Sequence, residues 1–405
     1  MKYFQGKISP GFVAVFSGRM VLRVAGGLLG LFLPVFLYEI FNLKIQYVFY
    51  YFLSIHLLYG LLIAWGAQYL NKIGLRRSLR LSVIVEALFY FSLYLLDKYF
   101  GGEKSSGLDL LLFLLVLSIV FQLIRKIMYW LPLHTDMAKF TDRSNRGKEL
   151  GVVYSSTVVI QAVLPISAGW IIFKFGYDYL FILAVVVCLC SLIPFSFLPR
   201  TQEKFSWSYW ETWKEFFSRK RRRQVLAYAG NGAEDLVGVL IWPIFIWEIL
   251  HGNYFEVGAI SSLIVAVTVV FQLTVGRLSD SLDKNKMITV GNFFYATGWI
   301  FKIFIATAFQ IFLASTYHSL TKIFSRTPFD TLTYEKAADQ GHFVDEFTVI
   351  HEMAFNAGKV LMILFSLLLI SLTGIKWTFI LAALASLFMN FLVDHQTVGK
   401  GRHVG

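Results

Sequence analysis

The sequence predicts an all-α integral membrane protein in which twelve transmembrane helices form two six-helix bundles. Three observations carry this. Of 405 residues, 57% are hydrophobic and only 15% charged, with a mean hydropathy of +0.63; a soluble domain carries about 25% charged residues. Apolar runs of bilayer-crossing length, roughly 20 residues, recur along the whole chain, and twelve of them leave about 34 residues per span. Lys and Arg gather at alternate ends of those runs. The composition excludes a disordered chain, a nucleic-acid-binding domain and an ordinary soluble enzyme. Forty Phe, twenty Tyr and ten Trp suit lipid and its interfaces.

The first span is expected over about 11–38. It is longer than a signal-peptide core and lacks a small-residue cleavage site, so it reads as a span and not as a cleaved leader. Arg19, Arg23, Gly26, Gly30 and Pro34 share one of its faces, a charged stripe running into a small, kinkable one. Spans two and three fall at 46–70 and 78–99. Span four, 108–133, aligns Gln122, Arg125 or Lys126, and Tyr129. Spans five and six fall at 150–174 and 178–198. Cys188 and Cys190, two apart on the sixth, point to different sides, so neither a disulfide nor a metal pair is expected. These spans make an N-terminal bundle over 1–198.

The longest polar stretch, 199–224, follows as a linker. In it Phe205, Trp207, Trp210, Trp213 and Phe217 precede five consecutive basic residues, Arg219 to Arg223. That pattern reads as an interfacial helix with its basic end on anionic headgroups, a reading compatible with simple reinforcement of topology. The C-terminal bundle and a short tail occupy 225–405, with spans at 225–250, 256–278, 286–305, 308–330, 346–372 and 374–394. Helical spacing puts Asn231, Asp235, Gly238 and Trp242 on one face of span seven. It likewise groups Ser315, His318, Lys322 and Arg326 on span ten, and Glu352, Asn356 and Lys359 on span eleven.

One set of span ends holds 24 of the 37 Lys and Arg residues, the opposite set only Lys44, Lys98, Lys104, Lys174 and Lys376. Cytoplasmic loops are the Lys/Arg-rich ones, so both termini and the linker are expected in the cytoplasm of a cell or inner membrane.

Two short loops repeat at matching positions. After span two stand Ala67, Asn71, Gly74, Arg76 and Arg77; after span eight stand Gly276, Arg277, Asp280, Asp283, Lys284 and Lys286. A small residue lets helix ends approach, Asp or Asn caps the next turn, and basic residues suit a helix C-terminus. Both loops resemble the G-x-L-x-D-R-x-G-R-K loop of the major facilitator superfamily. Ala67 and Asn71 depart from the pattern in the first copy, Asp283 in the second. Phe140 to Gly151, with Arg146, Gly147 and Gly151, is similar to that family's span 4–5 connection. Leu164 to Gly169 keeps only Pro165 and Gly169 of its G-P-x-x-G-G antiporter motif. The resemblance implies two bundles rocking about a central cavity lined by spans 1, 4, 7 and 10. It also implies that Asn71, Gly74, Arg76, Arg77, Gly276, Arg277 and Asp280 form gating loops that latch the outward-facing form.

Twelve charges lie inside spans: Arg19, Arg23, Arg125, Lys126, Lys302, Lys322, Arg326 and Lys359, with Glu86, Glu234, Asp235 and Glu352. Facing lipid, the eight cations would together cost on the order of 20 kcal/mol, so they must face water, one another or a partner. Eight of the twelve fall on the spans the resemblance makes lining helices. Arg23, Arg125, Lys322, Arg326, Asn231, Trp242 and Gln122 are therefore candidates for the substrate cavity. Arg125 reads either as a cavity group or as a structural salt bridge to a neighbouring helix. Arg19 reads as a cavity group or as reaching back to the interface. Asp235, Glu234 and His318 are the candidates for proton coupling, with Asp235 preferred for its face. Lys322 and Arg326 would bind an anion or pair with Asp235. Lys359 and Glu352 read as an internal bridge, and Lys302 and Glu86, on spans the family places outside, as structural or interfacial.

Enzyme signatures are absent. His351-Glu352-Met353-Ala354-Phe355 lacks the second histidine of a zinc-hydrolase motif, and no phosphate-binding glycine loop supplies an ATP site. No cofactor or metal is expected. The expected function is secondary transport of a small molecule by alternating access, coupled to protons. Antiport or export of an anionic or amphipathic compound is preferred. The alternatives are proton-symport uptake, a lipid flippase, or a non-transporting sensor on the same fold. The expected partners are the substrate, protons and a bilayer with anionic cytoplasmic headgroups; no nucleic acid is expected, and the protein is expected to be a monomer.

Overall fold

A computed structural model describes residues 9–102, 107–140, 146–199, 205–279, 284–338 and 344–393. These residues are helical almost throughout, with no strand among them. In the first half run α1 (Pro10–Gly30) with α2 (Leu33–Ile40), α3 (Ile45–Ile73), α4 (Leu75–Phe100), α5 (Leu108–Phe140), α6 (Arg146–Phe175), and α7 (Tyr177–Cys190) with α8 (Leu192–Ser196). The short α9 (Tyr209–Phe216) follows. The second half comprises α10 (Arg222–Leu236), a π-helical turn over Val237–Ile241 and α11 (Trp242–Ile249), then α12 (Tyr254–Ser279), α13 (Lys284–Lys302), α14 (Ala308–Ala338), α15 (Val344–Thr373) and α16 (Thr378–Phe388). Grouped where a single turn or break separates pieces, these helices fall at the positions expected for the spans, with α9 between the two halves.

Among the described residues nine helical stretches are long and apolar enough to cross a membrane. The units that fall short are α10–α11, α13 and α14, all in the second half. They carry Asn231, Glu234, Asp235, Asn292, Lys302, His318, Lys322 and Arg326. Polar residues lower the mean hydropathy of helices whose inner face is wet, so the deficit marks where the polar interior lies.

Helix ends follow local chemistry. Gly74, at φ +81°, joins α3 to α4 in a backbone conformation that a side chain would strain. Proline stands in the first turn of α1, α2 and α11, where its missing N–H costs nothing. Ser208 and Glu211 form a reciprocal capping box on α9. Cys188 is buried and Cys190 exposed, both free.

The halves meet along two helix pairs, α6 against α12 and α3 against α15. At the first, a side chain at Gly169 would collide with the Tyr254 carbonyl, and one at Gly258 with the Pro165 carbonyl. The Ile166 N–H, next to Pro165, donates to Ser262 Oγ at 3.0 Å. The two family-like residues of span five thus shape a close helix crossing. Inside the second half, Gly232 on α10 lies against the Phe355 backbone and Gly358 on α15 against that of Ala229, so these helices touch backbone to backbone.

At the end away from α9 the halves are tied by two tyrosine–carboxylate pairs. Tyr38 Oη donates to Glu248 Oε1 at 2.6 Å, and Tyr254 Oη donates to Glu39. At the other end the extended segment before α9 does the tying. Asn71 exchanges two hydrogen bonds with the Phe205 backbone, at 2.7 and 2.9 Å, and Gln68 donates to the Trp207 carbonyl at 3.0 Å. From the second half, Glu346 accepts from both the N–H and the hydroxyl of Ser206. Arg76 caps the Ser196 carbonyl at 3.0 Å, and Arg77 is exposed. Gly276 and Arg277 fall in the last turns of α12; Asp280 and Asp283, like the 141–145 part of the span 4–5 connection, lie outside the described residues.

Candidate functional site: a charged cavity between the halves

A cavity of about 670 Å³ lies between the two halves. Arg23 and three glycines of α1, Gln122, Arg125 and Tyr129 of α5, Glu234 and Trp242 of the seventh span, and Ser315, His318 and Lys322 of α14 all line it. Seven of the ten cavity and coupling residues expected from the sequence are therefore on its wall. Asn231, Asp235 and Arg326 are not.

The reason for two of these exceptions is the π turn. In an unbroken α-helix Asp235, Gly238 and Trp242 share a face, at spacings of three and seven. A π turn closes five residues apart instead of four and so inserts one extra position. Beyond it the face advances by about 100°, one residue's rotation at 3.6 residues per turn. Trp242 is then in line with Glu234, and both line the cavity with Gly238. Asp235 turns to α15, where its Oδ2 lies 2.8 Å from Lys359 Nζ. Asn231, one turn before Asp235, is buried at the same helix contact. The expected preference for Asp235 over Glu234 as the cavity carboxylate is thus corrected. Arg326, one turn beyond Lys322, is engaged by Asp330 of its own helix at 3.7 Å and does not pair with Asp235. Lys359 bridges to Asp235, and not to Glu352 as expected.

Two lining residues were expected elsewhere. Glu86 on α4 and Lys302 on α13, read as structural or interfacial, both face the cavity. Their signal was present in the sequence. A charge on a nominally outer span costs about 2.5–3.5 kcal/mol against lipid, so it must point inward.

On the first-half wall Arg125 pairs with Glu86 beside a second cation, Arg23, and Glu86 Oε2 has no hydrogen-bond partner among the described residues. Arg125 Nη1 lies 3.4 Å from Glu86 Oε1, Arg125 Nε donates to Gln122 Oε1 at 2.8 Å, and Tyr90 Oη donates to Glu86 Oε1 at 2.7 Å. Arg125 is both a lining group and one side of a bridge between helices, which joins the two readings its sequence position left open.

The second-half wall differs. Tyr295 donates to Glu234 Oε1, while Glu234 Oε2 has no hydrogen-bond partner among the described residues. Lys302 Nζ sits 4.0 Å from the ring centres of both Trp242 and Trp299. His318 stacks on Tyr295 with centroids 4.4 Å apart and meets Trp299 edge-on at 4.5 Å, and its Nδ1 is unpartnered. Lys322 forms no hydrogen bond or ion pair among the described residues.

A second polar cluster lies off the cavity, where α3, α5 and α15 meet. His56 Nδ1 and Asn356 Oδ1 are 2.8 Å apart, and Lys126 Nζ donates to the same Asn356 oxygen at 3.1 Å. Lys126 also lies 4.3 Å over the Tyr59 ring. His56 carried no signal in the sequence, being a lone histidine in an apolar run.

A helical membrane protein with a polar cavity between two halves, and contacts between them at its ends, has the build of a secondary transporter. The Major Facilitator Superfamily model matches residues 15–233 and again 224–399. The chain belongs to that superfamily, and it is a transporter, not an enzyme. It is 25% identical to Uncharacterized protein YqgE of Bacillus subtilis (strain 168), over 89% of this chain and 85% of that protein. Among solved structures it resembles a peptide transporter POT in complex with sulfate, with a TM-score of 0.67, 10% identity, and coverage of 96% of this chain and 95% of that one. A bacterial metal transporter matches with a TM-score of 0.62 and 14% identity, over 96% and 98% of the two chains. At these identities the two structures share the fold alone.

Proposed function

We propose that this transporter moves an anionic or amphipathic small molecule by alternating access, coupled to protons, with Glu234 as the proton-carrying carboxylate. The observation that carries this reading is the pairing on the second-half wall: an incompletely bonded carboxylate, Glu234, beside two cations without a carboxylate partner, Lys302 and Lys322. Protonating Glu234 removes the negative charge facing those cations. That changes the balance of charge across the cavity and biases the halves between inward- and outward-open states. The tyrosine–carboxylate pairs at Tyr38–Glu248 and Tyr254–Glu39 act as the gate at one end. The segment around Phe205, held by Asn71 and Glu346, restrains the other, with the loops at Gly74, Arg76, Gly276, Arg277 and Asp280 as the latching elements. His318 assists the proton site. The protein works as a monomer in a cell membrane, its termini and basic linker on the cytoplasmic, anionic leaflet.

Antiport leading to export is the direction favoured by the partial span-five motif and Arg125. Symport is favoured by a different observation. Glu234 shares its wall with Lys302 and Lys322, so a proton on the carboxylate and an anion on the lysines favour each other's binding, and linkage of that sign carries both the same way. Flux measured in proteoliposomes under an imposed pH gradient separates the two. Accumulation against an outward proton gradient means antiport; accumulation along with an inward one means symport. Equal flux with and without a gradient removes proton coupling. Comparing Glu234→Gln with Asp235→Asn assigns the carrier: gradient-driven flux lost only in Asp235→Asn would overturn the choice of Glu234.

A further inference from the structure

The second-half wall carries an arrangement that the transport reading does not by itself explain. Lys302 is 3% exposed, yet among the described residues no carboxylate lies within ion-pair distance of its ammonium. Burying a cation without an anion is costly, and the indole faces of Trp242 and Trp299 offset only part of that cost. Lys322 repels it, and the charge of Glu234 offsets part of that repulsion. Around them stand further groups that lack hydrogen-bond partners: Ser315 Oγ on a residue 4% exposed, Trp299 Nε1 on a fully buried one, and His318 Nδ1 on one 6% exposed. Buried polar atoms are normally satisfied, and a cluster of exceptions calls for a missing partner.

We propose that Lys302, Lys322 and Ser315 form an anion subsite that takes the carboxylate of a monoanionic organic ligand. Two ammonium groups against the single carboxylate of Glu234 leave one positive charge on this wall, which one anionic group neutralises. Carboxylate oxygens accept from Nζ and Oγ donors in charge-assisted hydrogen bonds. The rest of the cavity defines the ligand's body. Leu22, Ile160, Leu164, Ile264 and Val265 line part of it, so an apolar group attached to the carboxylate has a surface to lie against. The indoles flanking Lys302 suit a flat or aliphatic body lying beside them. The inference rests on the cavity being the transport site, and it names the residue, Lys302, on which substrate charge is read.

The test uses the full chain in lipid nanodiscs and the emission of its own tryptophans, two of which flank Lys302. Acetate, hexanoate, benzoate and 1-naphthoate are titrated beside hexanamide and benzamide. Hexanoate, benzoate or naphthoate should change the emission saturably, with acetate weaker and the amides inert. Lys302→Gln should weaken binding at least tenfold and Lys302→Arg restore most of it; Lys322→Gln and Ser315→Ala should each weaken it several-fold. Amides binding as tightly as their acids, no response to any carboxylate, or unchanged affinity in Lys302→Gln would overturn the subsite. Should Lys302→Gln fail to fold, unchanged affinity in both Lys322→Gln and Ser315→Ala overturns it equally. Liposome flux distinguishes this from the transport reading. Carboxylate binding without flux removes transport and leaves the subsite; flux of the same acid unaltered by Lys302→Gln does the reverse.

Discussion

Each wall of the cavity holds a carboxylate bonded to a tyrosine at one oxygen and unpartnered at the other, Glu86 and Glu234, and the walls differ in how their cations are held. On the first-half wall Arg125, Glu86, Gln122 and Tyr90 answer one another within 3.4 Å. On the second-half wall Glu234, Lys302 and His318 are held by aromatic rings and a single tyrosine hydroxyl, Lys322 forms no hydrogen bond or ion pair among the described residues, and several polar atoms are left over. An ion-paired cation rigidifies its surroundings; cations with no carboxylate at ion-pair distance are where a proton or a ligand changes the energy most. The first wall therefore reads as scaffold and the second as the responsive surface, although the sequence distributes charge over both.

The largest effect that tests this contrast is on coupling. Glu234→Gln should abolish accumulation driven by a pH gradient while leaving exchange of labelled for unlabelled solute, both measured in proteoliposomes. Full gradient-driven uptake in that variant would erase the distinction between the walls. Next is the scaffold itself. Arg125→Leu strands the 4%-exposed Glu86, and removing one partner of a buried ion pair typically costs about 3–5 kcal/mol. Thermal unfolding in detergent should show a marked fall in midpoint, largely recovered by adding Glu86→Gln. Recovery confined to flux, with no change in midpoint, would make Arg125 a ligand group instead. A smaller effect is expected from Gly232→Val, which forces α10 away from the Phe355 backbone at a cost of about 1–3 kcal/mol. It should also perturb the Asp235–Lys359 contact, visible as altered cross-linking between cysteines placed on α10 and α15. The smallest is Asn71→Ala. It deletes two hydrogen bonds to Phe205, each worth about 1 kcal/mol, and should quicken proteolysis between 199 and 208 with little change in midpoint.

Much of this architecture is legible in the sequence because lipid imposes it. The lining character of Arg23, Gln122, Arg125, His318 and Lys322 follows from polar residues in an apolar chain together with the family's plan of lining spans. What was not legible depends on geometry between helices. Glu86 and Lys302 were assigned by the family's general plan of outer spans, and their own charge was the better guide. Arg326 shared a face with Lys322, but face alone does not reveal that Asp330, one turn on, would engage it. The restraint of the linker by Asn71 and Glu346 joins residues 134 and 140 positions from their partners, beyond any local pattern. The choice between Glu234 and Asp235 turned on a π turn that ordinary helical periodicity assumes away.

That turn has a consequence for how such a chain can change over generations. A single-codon insertion within a helix swings everything beyond it by one position and would disconnect a lone acidic side chain from the cavity groups further along. Two adjacent acids tolerate the event, because whichever frame the helix adopts, one of them stays in line with Trp242. Deleting one residue from Val237–Ile241 should accordingly exchange the duties of the neighbours, bringing Asp235 to the cavity and sending Glu234 towards α15. The doublet thus keeps one carboxylate in line with Trp242 in either helical frame.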